Sequence, residues 1–143
     1  MAFRIDVRKT VPDTRAQVYR ERFKSLGLAT LKEIQVVDSY RIDARLTSGQ
    51  LKKVAEAFTD VRTEASSLAG ASSPLAFSWA IEIGFLPGVT DNVGSTARET
   101  IEDLLGKKFH IGEAVYASKV FFCPETCGSG MCGSSPTAST TRL

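Results

Sequence analysis

Residues 80–105, AIEIGFLPGVTDNVGSTARETIEDLL, contain the clearest pattern of predicted secondary structure in the chain. The first four residues alternate apolar and polar side chains, which is typical of a half-buried β-strand. After the Pro87–Gly88 loop, Asp91 is a suitable N-cap, and apolar residues then recur at helical spacing at positions 93, 97, 101 and 104. The stretch therefore predicts a strand, a turn and an amphipathic helix.

The same pattern occurs earlier in the chain. Residues 4–7, RIDV, match residues 80–83 at an offset of 76, and beyond a loop that is two residues shorter the helix residues match at an offset of 78. Asp13 and Gly27 are the predicted cap residues of this first helix. Further on, alternate residues of segment 116–122 repeat segment 40–46 at the offset of 76. The chain therefore contains an internal repeat of βαββ order.

The first repeat contains further predicted elements. Segments 31–37 and 40–46 predict two strands of a hairpin, with a tight reversal near Asp38 and Ser39. Ser48 is the predicted cap of a second helix, whose apolar residues lie at positions 51, 54, 55 and 58. Segment 61–68 predicts a final edge strand. The first repeat then has the order βαββαβ.

The composition along the chain predicts four regions. Repeat 1 covers residues 1–68, a linker of small residues and proline covers 69–75, and repeat 2 covers 76–123 without the second helix and last strand. In the tail, residues 124–143, 13 of 20 residues are Ser, Thr, Gly or Pro, which predicts disorder. We expect such a chain to be the front part of something longer, with a truncated or frameshifted end.

Composition and charge exclude several classes of protein. The 143 residues suit one ordinary domain or two small ones, and 43% apolar with 24% charged residues is globular. The net charge of +2 is too small and too evenly spread for nucleic acid or a membrane surface to be the main partner. No stretch approaches the roughly 18 apolar residues of a membrane span. We expect a soluble, cytoplasmic protein.

The residues that carry chemistry are few. Cys123, Cys127 and Cys132 have a C-x3-C-x4-C spacing that matches no common zinc motif, and the single histidine, His110, is remote from them in sequence. No phosphate-binding glycine motif is present, and no nucleophile has an obvious base. The sequence therefore predicts no metal site, no cofactor and no catalytic residue.

Two groups of residues remain as candidates. The loop residues Pro87, Gly88, Asp91 and Asn92 enter a helix, where free backbone N–H groups can bind an anion. Asp91 would itself occupy those N–H groups, so the alternatives are a structural turn with a cap and a ligand-binding or interface loop. The carboxylates of the following helix, Glu99, Glu102 and Asp103, are predicted to lie on its solvated polar face.

Residues 80–105, together with FTDVRTEAS at 58–66, resemble the N-terminal region of phosphoribosylformylglycinamidine synthase, the amidotransferase of purine biosynthesis, in which one or two copies of the small PurS unit occur. The likeness covers roughly residues 3–122. It implies an α+β fold of two PurS-like βαββ(αβ) repeats whose antiparallel sheets pack as a pseudo-dimer, with helices on one face and the second copy incomplete.

The resemblance also implies a function. A PurS-like unit is not catalytic; it helps to hold the ATP-using synthetase part and the glutaminase part together, so that ammonia reaches formylglycinamide ribonucleotide. Those parts are the expected partners, together with a second copy of this chain. The alternatives are a stand-alone ferredoxin-like regulatory domain that binds a small molecule between its repeats, and, ranked last, an enzyme fragment that uses Asp91 or His110.

Overall fold

The computed structural model describes residues 2–27, 33–68, 79–86 and 89–123, and the backbone of residues 139–142. In chain order the elements are β1 (Ala2–Lys9), α1 (Thr14–Ser25), β2 (Gln35–Asp43), α2 (Ser48–Ala57), β3 (Glu64–Ser67), β4 (Trp79–Gly84), α3 (Asn92–Leu105), β5 (Ala114–Cys123) and β6 (Ser139–Arg142). The protein is of the α+β class. None of the helices in these ranges has the length and apolar character needed to cross a membrane.

The strands form one sheet in the order β3-β1-β2-β5-β4-β6. β1 to β5 pair antiparallel, and β6 lies parallel to β4. The sequence predicts two sheets, one for each repeat. The described strands instead make a single sheet, because β2 and β5 pair along their whole common length, from Gln35 opposite Phe122 to Asp43 opposite Ala114.

All three helices lie on one face of this sheet. α2 and α3 pack on a cluster that contains Ile5 and Ile42, and α1 packs on a second cluster that contains Val36 and Phe121. The strand registers put these four residues on the same face, because side chains alternate along a strand. The opposite face carries no helix among the described elements, and we call it the open face.

The predicted hairpin at Asp38 and Ser39 is wrong, since both residues lie inside the continuous strand β2. Asp38 is held in place by ion pairs with Arg15 of α1 at 2.9 Å and Lys119 of β5 at 2.7 Å. Burial alone would raise the pKa of Asp38, but the hydrogen bonds from these two cations lower it overall. Tertiary partners on both sides therefore override the local turn preference of the Asp-Ser pair.

The strand register also corrects the repeat. Ile5 pairs with Tyr40, but Ile81, which follows Ile5 by 76 residues, pairs with Phe121 and not with Tyr116. The second strand pair is thus displaced by five positions from the sequence match. An odd displacement moves a side chain to the other face of a sheet. Tyr40 consequently lies on the helix-covered face, whereas Tyr116 lies on the open face.

Several boundaries differ from the prediction by a few residues. The cap of α2 is Thr47 rather than Ser48, and it forms a capping box with Gln50. The predicted edge strand is present but shorter, as β3. Within the tail, for which the sequence predicts disorder, residues 139–142 form β6. The linker at 69–75 lies outside the described residues.

Candidate functional site

Asp91 joins the first turn of α3 to strand β5. Its Oδ1 accepts a hydrogen bond from the backbone N–H of Gly94 at 2.7 Å, which is the expected N-cap contact. Its Oδ2 accepts another from the backbone N–H of Ala117 at 2.8 Å. Because the pairing of β4 with β5 ends at Ser118, this second bond satisfies a strand N–H just beyond that end. The Asp91 carboxylate therefore satisfies one backbone N–H at the start of α3 and one on β5.

Gly94 is required by this arrangement. A Cβ atom at this position would lie 2.5 Å from Asp91 Oδ2 and 2.6 Å from the carbonyl oxygen of Val115. Only glycine lets the helix approach β5 closely enough for Asp91 to reach Ala117. The Asp-x-x-Gly sequence at 91–94 is the signal that could have identified this contact.

The other three candidate loop residues contribute no comparable contact between α3 and the sheet among the described residues. Asn92 is the exposed first residue of α3, and its carbonyl oxygen accepts a hydrogen bond from Thr96 Oγ1 at 2.9 Å. Pro87 and Gly88 lie outside the described residues. Since Asp91 already occupies the N–H of Gly94, an anion at this helix end would have to compete with a carboxylate of the protein itself.

Glu102 corrects the prediction of a solvated acidic face on α3. Its side chain is only 7% exposed, whereas Glu99 and Asp103 are exposed. Glu102 accepts hydrogen bonds from the backbone N–H of Phe109 at 2.8 Å, from Lys108 Nζ at 3.1 Å and from Arg98 Nε at 3.2 Å. The bond from Phe109, followed by that from Lys108, lowers the pKa of Glu102 to about 2. The carboxylate anchors the loop that follows α3.

The open face has a network of ion pairs and hydrogen bonds that connects the two halves of the sheet. Arg4 of β1 donates from Nε to Asp6 Oδ1 at 3.0 Å and from Nη1 to Glu82 Oε2 of β4 at 3.3 Å. Glu82 Oε1 accepts a third bond from Ser118 Oγ at 2.6 Å. To reach β4, Arg4 must cross β2 and β5, which separate the two strands. The small side chains of Ser39 and Ser118, which pair directly, leave room for this crossing.

A groove of about 1020 Å³ lies beside this network and is lined by residues of both halves. We call it the open-face groove. Its lining includes charged residues on three strands and apolar residues at the end of β4, among them Arg4, Arg41, Asp43, Glu82, Leu86 and Tyr116. Asp91 also lines it, so the cap of α3 forms part of its wall. The groove combines charged and apolar groups from both halves of the sheet.

Among the described residues, neither a second cysteine nor a metal-binding cluster accompanies this site. Cys123 is a buried free thiol whose pKa is raised by burial, and Cys127 and Cys132 lie outside the described residues. Within the part of the chain that the structure describes, no group of three His, Cys, Asp or Glu residues could hold a metal ion. His110 is exposed, and its backbone N–H donates to Glu113 Oε2 at 2.8 Å.

Comparison of the chain with known protein families, with curated proteins and with solved structures finds no match.

Proposed function

We propose that this chain is a non-catalytic, PurS-like assembly domain of a phosphoribosylformylglycinamidine synthase, acting in the cytoplasm in purine biosynthesis. It would hold the synthetase and glutaminase parts together so that ammonia released from glutamine reaches formylglycinamide ribonucleotide. The proposal starts from the resemblance of residues 80–105. The structural observation that carries it is the pairing of β2 with β5, which unites two strand–helix–strand halves in one sheet with all helices on one face.

This architecture suits a domain that holds other domains. Three helices back a continuous sheet, and its open face carries no helix among the described elements. One end of that face is polar, with Arg4, Glu82 and Ser118 joined in one network and Arg41 exposed beside it. At its other end Val37, Val120 and Phe122 form a buried apolar cluster. Interfaces between separately folded parts are more polar than permanent dimer interfaces. We therefore propose the open face as the surface that the synthetase and glutaminase parts contact.

Reconstitution tests this assignment. The chain would be mixed with synthetase and glutaminase polypeptides, and co-purification would be followed by assays of amide formation with glutamine or with ammonium chloride as nitrogen source. We expect the chain to raise the glutamine-dependent rate and to leave the ammonia-dependent rate unchanged, because it couples the two parts without taking part in the synthetase reaction. Absence of co-purification, or an unchanged glutamine-dependent rate, would contradict the assignment.

A matched pair of charge reversals tests the surface. Arg41→Glu changes the open face, whereas Arg62→Glu makes the same change in the exposed loop before β3. We expect only Arg41→Glu to weaken co-purification, since it places a repulsive charge in the proposed contact. Equal weakening of co-purification by both variants would contradict the placement of the contact on the open face.

We also propose self-association, because the second half has no counterpart of α2 among the described elements. Sedimentation at increasing protein concentration measures it. A strictly monomeric profile at high concentration would contradict this part of the proposal and would leave the co-purification result unaffected.

A further inference from the structure

The open-face groove contains two side chains of opposite charge that make no hydrogen bond or ion pair with another described residue. They are Arg41 and Asp43, which lie two positions apart on β2 and therefore on the same face. The other charged residues that line the groove are partnered: Arg4 and Glu82 bind each other, Arg98 binds Glu102, and Asp91 binds backbone N–H groups. One cation and one carboxylate are thus left for a ligand.

The balance of charge in the groove indicates what kind of ligand it suits. Three arginines and three carboxylates line it, so their formal charges cancel. A polyanion such as a nucleoside triphosphate would meet no net positive potential there. A ligand with one charge of each sign would instead meet complementary charges at Arg41 and Asp43.

The apolar wall of the groove lies to one side of these charges. Tyr116 pairs directly with Arg41 across β2 and β5, which places it about 5 Å away, the spacing of neighbouring strands. Its side chain is 54% exposed. Phe85 and Leu86, which follow the end of the next strand, β4, also line the groove and are 48% and 47% exposed. A charged pair and an apolar wall therefore lie about one to two strand spacings apart.

We propose that the open-face groove binds a free α-amino acid with an apolar side chain. The Arg41 guanidinium would receive the carboxylate, since its planar fork matches carboxylate geometry. The Asp43 carboxylate would accept hydrogen bonds from the ammonium group. The apolar side chain would lie against Tyr116 and Leu86 and cover surface that is now exposed to water.

The site is built from both halves of the sheet, with the charged pair on β2 and the apolar wall on β5 and after β4. A bound amino acid consequently stabilises the joined arrangement, because a ligand that binds only the folded form raises its stability. This inference does not depend on the proposed assembly function. It gives the chain a small-molecule ligand of its own.

Titration of the full chain with L-phenylalanine, followed by calorimetry, tests the site. We expect saturable binding of one molecule per chain with a Kd of about 1 mM or tighter, as a ligand of this size allows. Phenylacetate lacks the ammonium group and phenethylamine lacks the carboxylate, so each should bind at least tenfold more weakly. Failure of L-phenylalanine to saturate, or equal binding of the three compounds, would overturn the inference.

Two variants and a control locate the ligand. Arg41→Ala and Asp43→Ala should each weaken L-phenylalanine binding at least tenfold, since each removes a charge-assisted contact. Arg45→Ala removes an exposed arginine just beyond the end of β2 and should leave binding unchanged. Unchanged binding by Arg41→Ala would overturn the assignment of the site.

The ligand series uses the unaltered chain, so the result stands even if a variant fails to fold. Binding in the isolated chain and co-purification with synthetase and glutaminase polypeptides are independent measurements. Loss of one result therefore does not imply loss of the other.

Discussion

The two halves of the sheet share the order strand, helix, strand but hold their helices in different ways. α1, between β1 and β2, has no fully buried residue. It rests on Phe121 through edge-on contacts with Tyr19 and Phe23, whose ring centres lie 4.7 and 5.4 Å away. α3, between β4 and β5, buries four residues, Gly94, Ala97, Ile101 and Glu102.

The carboxylates of the two helices differ in the same way. Asp13 caps α1 and binds only within its own segment, to the backbone and side chain of Arg15. Asp91 and Glu102 of α3 accept N–H groups that lie outside the helix, on Ala117 and Phe109. The same order of elements in the two halves thus does not imply that the helices are attached to the sheet by the same kinds of contact. α3 is attached to the second half by buried packing and by main-chain hydrogen bonds, whereas α1 is attached through partly buried aromatic side chains and the ion pair of Arg15 with Asp38.

The largest effect should come from Ile101→Ala. Ile101 is fully buried, and we expect its truncation to reduce the free energy of unfolding by about 4 kcal/mol, from lost burial and the cavity left behind. Phe23→Ala removes a larger side chain from α1, but Phe23 is only half-buried, so we expect a loss of about 2 kcal/mol. Urea unfolding measures both. A greater loss for Phe23→Ala would reverse the comparison between the helices.

Gly94→Ala should be next, at about 3 kcal/mol. The added Cβ would overlap Asp91 and the backbone of Val115, so α3 must move away from β5 or the cap must break. Gly49→Ala is the matched control, because a Cβ on this residue of α2 meets no atom within 4 Å. We expect Gly49→Ala to stabilise the protein by about 0.5 kcal/mol, through the better helix propensity of alanine. Equal thermal unfolding temperatures for the two variants would contradict the close approach.

Removing the cap residue of each helix should cause smaller losses of unfolding free energy, and these losses should differ between α3 and α1. Asp91→Ala loses the cap and leaves the N–H of Ala117 without its partner, so we expect a loss of about 2 kcal/mol. Asp13→Ala loses a local cap and a neighbouring contact with the Arg15 side chain, and should cost about 1 kcal/mol. Hydrogen exchange gives a second readout, since protection of the Ala117 N–H should fall in Asp91→Ala and persist in Asp13→Ala. Persistent protection in both would mean that Asp91 does not connect α3 to β5.

The acid dependence of stability is the smallest expected effect. The pKa of Glu102 is lowered in the folded protein from its ordinary 4.5 to about 2. A lowered folded-state pKa contributes stability above pH 4.5, and this contribution is lost as the pH falls from 4.5 to 2. Glu102→Gln should therefore lower the free energy of unfolding at pH 7 and make it depend less on pH between 4.5 and 2. If the free energy of unfolding changes with pH in the same way in the variant and in the unaltered chain, the role of the ionised carboxylate is contradicted.

Some parts of this arrangement follow from short sequence patterns. The strand at 80–83, the caps at Asp13 and Asp91 and the helix after each cap depend on neighbours within a few residues. Patterns of this kind record local hydrogen bonding and the alternation of apolar side chains. The α+β class follows from their order along the chain.

Two of the incorrect predictions involve partners outside the pattern from which they were made. Asp38 and Ser39 have the composition of a turn, yet Arg15 and Lys119 hold Asp38 within a strand. The sequence groups Glu102 with two solvated carboxylates of α3. In the folded chain the loop after α3 places the N–H of Phe109 within hydrogen-bond distance of Glu102. No local pattern contains those contacts.

The candidate site shows the same division. Asp91 was identifiable as a cap from its place before the helix, but its bond to Ala117 depends on where β4 stops. Arg41 and Asp43 gave no signal as a pair, because their shared groove with Tyr116 exists only once β2 and β5 pair. Register, and not composition, brings these side chains together.

The α+β class, the caps of α1 and α3 and the recurring order of strand and helix follow from the sequence, since these features depend on local hydrogen bonds and on the spacing of apolar side chains. The continuity of β2, the five-position difference between the two strand registers and the burial of particular charged groups depend instead on contacts made in the folded chain. Strand pairing and the ion pairs of Asp38 and Glu82 join residues far apart in the chain, and their energies depend on geometry that no local window contains.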